Sequence, residues 1–156
     1  MKRIKFLPLI LLSIALFVLG QYMYGPVFEF FEANVDRVKF LITDQGGLFR
    51  SSLLFSLVLA LIPVFIVLVW KTGHIVSVKG KVIVCLVVLA FISLGILIRH
   101  IAVNAYFKSI TPKLLLLPNS QITYPINPVN FVYYMFIFLC MGCILSWFLF
   151  RRENQL

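Results

Sequence analysis

An uncharged stretch of twenty residues, 51–70, constrains this chain more than any other feature of its sequence. Its letters, SSLLFSLVLALIPVFIVLVW, leave no polar face that could meet water along one side of a helix. A helix of this length, at ~1.5 Å of rise per residue, is roughly 30 Å long, which is the thickness of the hydrocarbon core of a bilayer. The stretch is therefore predicted to cross a membrane.

Three further apolar stretches predict an all-α membrane protein, a bundle of four transmembrane helices. The predicted spans are residues 5–23, 51–70, 82–99 and 129–150. Outer connections, 24–50 and 100–128, and a cytoplasmic loop, 71–81, join them. The composition agrees, because 62% of the 156 residues are hydrophobic and 12% are charged, whereas soluble domains are about half apolar and about a quarter charged. We expect one membrane-embedded domain, residues 1–156.

The first span also has the form of a signal peptide. A basic start, MKRIK, precedes an apolar run, and Val18 and Gly20 stand where a cleavage site needs small residues. We expect the span to be retained, because the spans that follow insert without a cleaved leader.

The basic residues predict that both termini are cytoplasmic. In this topology eight Lys and Arg residues lie on the cytoplasmic side and six in the outer connections, and basic residues favour the cytoplasmic side. The short loops favour the inner membrane of a bacterium. The net charge of +9 is then accounted for by orientation and by contact with the lipid bilayer, so no nucleic-acid partner is predicted.

Small residues in the second span predict close packing between helices. Ser52, Ser56 and Ala60 recur every four residues and form a stripe along one face. Such stripes allow the backbone of a neighbouring membrane helix to approach closely.

Both outer connections contain large apolar residues, although neither connection is predicted to cross the membrane. Gly25-Pro26 is predicted to break the first helix, and the residues after it have the spacing of an amphipathic helix at the membrane interface. Residues 111–128 contain four prolines and predict a proline-rich loop on the same side. The candidate partner surface drawn from these connections comprises Phe28, Phe31, Val35, Leu114, Leu115, Leu116 and Leu117.

A polar cluster is predicted where the third span meets the interface. The helical period continues after residue 99, so that His100, Asn104 and Lys108 share a helix face at four-residue spacing, and Arg99 adjoins them. Such residues either extend to the headgroups or line a polar path inside the bundle. Both interpretations stay open from the sequence.

Cys140 and Cys143 lie three residues apart, and on a helix they share a face where two thiols could form a disulfide or bind a soft metal. In gross plan the chain resembles small membrane oxidoreductases of the vitamin K epoxide reductase and disulfide-bond-forming types. That resemblance implies a four-helix bundle in which the Cys-x-x-Cys pair works with a quinone. Those families also carry partner cysteines in an outer loop, whereas Cys85, the third cysteine here, lies within a predicted span. Packing is the expected role of the pair.

Few side chains in the sequence are suited to catalysis. His74 and His100 are predicted on opposite sides of the membrane, and the acidic residues are confined to one connection and the C-terminal tail. No catalytic residue, metal or cofactor is predicted. We expect a non-catalytic accessory or structural subunit that engages another integral membrane protein or a second copy of itself. The alternatives are a homo-oligomeric pore or small transporter lined by the polar cluster, and a thiol–quinone oxidoreductase that uses Cys140 and Cys143.

Overall fold

A computed structural model of the chain describes residues 6–31, 45–114 and 131–153, and this part of the chain is helical without strands. The described residues form α1 (Phe6–Phe31), α2 (Gln45–Thr72), α3 (Val78–Leu114) and α4 (Phe131–Glu153). Each contains a segment long and apolar enough to cross a membrane: Phe6–Val27, Phe49–Thr72, Val78–Tyr106 and Phe131–Arg151. The predicted fold is confirmed, and the protein is an integral, multi-pass membrane protein.

The helices run in alternating directions, so that two ends of the bundle can be defined. α1 packs along α2, and α3 packs along α4. At one end, which we call the turn end, the Lys71 ammonium lies over the Phe6 ring and Gly80 lies against Phe150. The turn end therefore holds the start of α1, the α2–α3 turn and the end of α4. We call the opposite end the Arg99 end.

Local hydrogen bonds explain why the α2–α3 turn is so short. Beyond Thr72, the amide of Ile75 donates to the carbonyl of Trp70 (2.9 Å) and the amide of His74 to that of Lys71 (3.3 Å), which is the pattern of a Schellman cap. His74 adopts the left-handed conformation that this cap requires, with φ of 51°. α3 begins at Val78, five residues after the turn starts. Ser77 caps its first turn by accepting a hydrogen bond from the Gly80 amide (3.1 Å).

The small-residue stripe of α2 brings the α1 backbone into direct contact. A Cβ atom at Gly20 would stand 2.7 Å from the Cα of Ser56. The Gln21 side-chain amide donates to the Ser52 carbonyl (3.4 Å), and the Ser56 hydroxyl donates to the same carbonyl (2.8 Å). The two helices therefore touch along their backbones, as the spacing predicts.

The interior between α2, α3 and α4 is filled by apolar side chains. Val84, Val88 and Leu139 have no exposed surface, and the Val58 side chain of α2 is buried with them. Gly142 allows α4 to lie directly on the Val88 backbone. Within the described helices, these apolar side chains form one packed cluster.

α1 is held by fewer neighbours than the other helices. Only 6% of its apolar window is buried within the protein, compared with 22% to 33% for the windows of the other three helices. Its contact with α4 is a stack of the Tyr24 and Phe131 rings at the Arg99 end, with centroids 6.0 Å apart. Along most of its length α1 rests on α2 alone.

The prediction that Gly25-Pro26 ends the first helix is wrong, because α1 continues through both residues to Phe31. Pro26 has no amide hydrogen, so the carbonyl of Tyr22 loses one helical hydrogen bond while the neighbouring bonds can still form. Gly25 has no Cβ, which relieves much of the clash that a proline imposes on the residue before it. Residues 32–44, where the rest of the amphipathic helix is predicted, lie outside the described residues.

The third helix extends beyond its predicted membrane span of 82–99, as the helical period after residue 99 predicts. α3 begins at Val78 and continues to Leu114, so that the first part of the predicted outer connection is helical. The α2–α3 turn is correspondingly reduced to residues 73–77. α3 includes Pro112, so residues 111–114 of the predicted proline-rich loop are helical. The rest of that loop, residues 115–128, and the first two residues of the predicted fourth span lie outside the described residues.

Candidate functional site

Arg99 is a charged residue buried at a junction of three helices. Its side chain is 3% exposed and lies near Tyr24 of α1, which in turn contacts Ser51 of α2, and these two residues are 5% and 2% exposed. The Tyr24 hydroxyl faces the Ser51 hydroxyl, and the charge of Arg99 is close enough to act on it. An arginine removed from water at membrane depth is costly unless polar groups surround it. We call these three residues the arginine junction.

Aromatic rings attach α4 to the arginine junction. Tyr24 also packs on Phe55 of α2 and Phe131 of α4, at centroid distances of 5.8 and 6.0 Å. Phe55 and Phe131 meet edge to face at 5.5 Å. Each such pair is worth about 0.5–1.5 kcal/mol beyond its buried area. Through Tyr24, the polar junction and the aromatic cluster form one unit that joins all four described helices.

The remaining residues of the predicted polar cluster are separated from Arg99. His100 and Asn104 are half-buried one turn apart, with the His100 Nε2 and the Asn104 Nδ2 3.0 Å from each other. Lys108 is exposed one turn further along α3. Arg99 instead faces α1 and α2, because consecutive helical residues point about 100° apart. The structure therefore divides this cluster into a buried arginine and a pair on the flank of α3.

Buried apolar residues follow the arginine junction along the described interior. From the arginine junction towards the turn end, the interior passes through Val58, Val88 and Leu139, all buried and apolar. The buried hydroxyl of Ser56 lies along this route, but it donates to the carbonyl of its own helix.

The cysteine pair lies within the packed part of α4. Cys143 is buried in the hydrophobic core, Cys140 is half-buried, and both carry free thiols, as does Cys85. Within residues 6–31, 45–114 and 131–153, no group of three or more His, Cys, Asp or Glu side chains could hold a metal ion. Gly142, between the two cysteines, packs on Phe91 and Val88 of α3.

Most of the predicted partner surface falls where the structure gives no side-chain description. Phe28, Phe31 and Leu114 belong to described helix ends, but their side chains are not described. Val35, Leu115, Leu116 and Leu117 lie outside the described residues. Among the described side chains, the outward surface of α1 is apolar and exposed, at residues such as Leu11 and Val18.

Sequence patterns could have revealed part of the arginine junction. Tyr24 follows Gly20 by four residues and so shares the face that meets α2. Ser51 comes one residue before the small-residue stripe begins. No local pattern connects either residue to Arg99, because the three belong to different helices.

Comparison with protein-family models, with curated proteins and with solved structures finds no match for this chain. Function is therefore inferred from the geometry of the described residues alone.

Proposed function

We propose that this chain is a non-catalytic subunit of a membrane protein complex, and that it attaches to another integral membrane protein, or to a second copy, through α1. The observation that carries the proposal is the position of α1 at the edge of the bundle. A helix in a four-helix bundle ordinarily packs between two neighbours, whereas α1 packs along α2 and reaches α4 at Tyr24. A partner helix would occupy the second place.

The packed apolar core supports a structural role. Among the described residues, the buried charge of Arg99 serves a contact between helices, and Cys143 serves as a packing residue. In a bilayer, apolar side chains gain little from leaving lipid, so helix association depends on close fit and on a few polar contacts. The Gly20 face of α1 packs against α2, and the opposite face of α1 is available for close packing with a partner helix.

Photocrosslinking in native membranes tests this proposal. Leu11 and Val18 are two turns apart on the side of α1 that faces away from Gly20. A photoreactive residue in place of Val18, which is 49% exposed, is expected to form a protein adduct of defined mass. Leu89 on α3 is 51% exposed and is the matched control, for which we expect lipid adducts alone. Lipid adducts at both positions would reject the proposal.

A homo-oligomeric pore or small transporter is the second candidate, and the His100–Asn104 pair favours it. This pair is half-buried on the flank of α3, with Lys108 exposed one turn away. Copies that met along this flank could enclose a polar path outside the core of each one. Flux of ions or solutes into reconstituted vesicles, no greater than into empty vesicles, would rule this candidate out.

A thiol–quinone oxidoreductase is the third candidate. Cys140 and Cys143 both carry free thiols, and their three-residue spacing places them on one face of α4. Under the proposed structural role, the double substitution Cys140→Ser with Cys143→Ser is expected to leave the cellular phenotype unchanged. Loss of the phenotype, with the protein still present in the membrane at its normal level, would favour redox chemistry instead.

We propose the inner membrane of a bacterium as the location, with both termini in the cytoplasm. The basic residues Lys71, Lys79, Lys81 and Arg151 at the turn end support this orientation. A fluorescent protein fused after Leu156 should then fluoresce, whereas a periplasmic phosphatase fused there should be inactive. An active phosphatase would show that the C-terminus lies outside the cytoplasm and would contradict this orientation.

A further inference from the structure

A groove of about 360 Å³ opens at the turn end, between the start of α3 and the end of α4. Ser77 and Lys79 form the polar part of its lining, which we call the mouth, and Ile83, Leu149 and Phe150 form the apolar part, which we call the wall. Gly80 lies between the two parts, and its missing side chain brings the α3 backbone close to the Phe150 ring. The groove is thus amphipathic along its length.

The described charged side chains around the groove are basic. Three cations of the turn end lie over aromatic rings: Lys71 over Phe6 at 4.8 Å, Lys81 over Trp70 at 5.8 Å and Arg151 over Trp147 at 4.7 Å. Basic residues beside tryptophan are typical of the level at which lipid headgroups lie. Lys79 lines the groove itself. This end would therefore attract an anion held at headgroup depth.

We propose that the groove binds one anionic phospholipid. Its phosphate would lie against the Lys79 ammonium and the Ser77 hydroxyl, and an acyl chain would follow Ile83 and Leu149. The Ser77 oxygen accepts a hydrogen bond from the Gly80 amide (3.1 Å), so its own hydrogen can donate to a phosphate oxygen. The positive end of the α3 dipole adds to the same potential without being the basis of the site.

The wall of the groove selects a lipid over a soluble phosphate. Ile83 and Leu149 lie within the membrane-crossing segments Val78–Tyr106 and Phe131–Arg151, and both are exposed. The groove therefore opens sideways, towards the bilayer. A free phosphate could use the mouth but would leave the wall without an occupant, whereas a phospholipid covers both.

Native mass spectrometry of the full chain, released from detergent, tests the proposal with phosphatidylglycerol and phosphatidylcholine of identical acyl chains. We expect phosphatidylglycerol to bind preferentially, and Lys79→Gln to weaken its binding about fivefold, the effect of one basic residue near an anionic lipid surface. Lys108→Gln removes the same charge from an exposed site at the Arg99 end, and it should leave the binding unchanged.

Three results would overturn the proposal. Equal binding of the two lipids would mean that the groove does not recognise the negative charge. Equal weakening by Lys79→Gln and Lys108→Gln would mean that net charge, rather than the groove, attracts the lipid. Displacement of phosphatidylglycerol by millimolar inorganic phosphate would mean that the apolar wall contributes nothing, so that the site binds phosphate alone.

Discussion

Replacement of Arg99 by alanine is expected to lower the free energy of unfolding by about 3 kcal/mol, the combined effect of lost hydrogen bonding to a charged group and of buried partners left unsatisfied. The Arg99 side chain is almost fully buried, and it acts on Tyr24 of α1 while Ser51 of α2 faces the same hydroxyl. Alanine would leave these hydroxyls in a space that water does not fill. It would also remove the packing of the arginine stem.

The free energy of unfolding is measured in mild detergent by adding a denaturant and recording the loss of helix by circular dichroism. Lys108→Ala removes the same charge from an exposed position of α3 and should change the free energy by less than about 0.5 kcal/mol. Tyr24→Phe deletes the hydroxyl while keeping the ring, and its effect should be non-additive with that of Arg99→Ala by about 0.5 kcal/mol or more. An Arg99→Ala protein as stable as Lys108→Ala would show that the arginine junction contributes nothing to stability.

Replacement of Gly20 by alanine is expected to destabilise the protein by about 2 kcal/mol, as overpacking of a close contact usually does. The new Cβ would stand 2.7 Å from the Cα of Ser56 and 2.9 Å from its Oγ. A backbone atom cannot rotate aside, so α1 would have to move away from α2. The same variant should reduce the protein adduct formed at Val18, because α1 would no longer hold its position.

Gly25→Ala is the matched control within the same helix. A Cβ at Gly25 meets no atom within 4 Å, so no steric displacement of α1 is expected. Its gain in helix propensity and its contact with Pro26 act in opposite directions, and the net change should stay within about 1 kcal/mol. If both alanine variants unfold at the same denaturant concentration, close packing at Gly20 does not hold α1 on α2.

Several features of the fold were predictable because they depend on neighbouring residues in one segment. The uncharged stretch of residues 51–70 lies inside α2, and the stripe containing Ser52 and Ser56 meets a neighbouring backbone as its spacing indicates. The helical period after residue 99 likewise anticipated the long α3. Each of these features depends on the summed hydropathy or on the residue spacing of a single helix.

The candidate site was predictable only in part. Arg99, His100, Asn104 and Lys108 were grouped because they are close in sequence, yet Arg99 turns towards α1 and α2 while His100 and Asn104 pair with each other. The groove at the turn end joins residues of α3 to residues of α4 that are about seventy positions away. Contacts of this kind have no signature in the local pattern.

The amino-acid sequence by itself determined that four helices cross the membrane, because the free energy of transfer into lipid adds up residue by residue within each segment. The tertiary structure alone decided which faces meet. Lipid solvates every apolar face equally well, so hydropathy does not choose among them, and close fit at residues such as Gly20 and Gly142, together with the polar contacts of Arg99, makes the choice. The exposed edge of α1 and the amphipathic groove beside Lys79 are consequences of that choice.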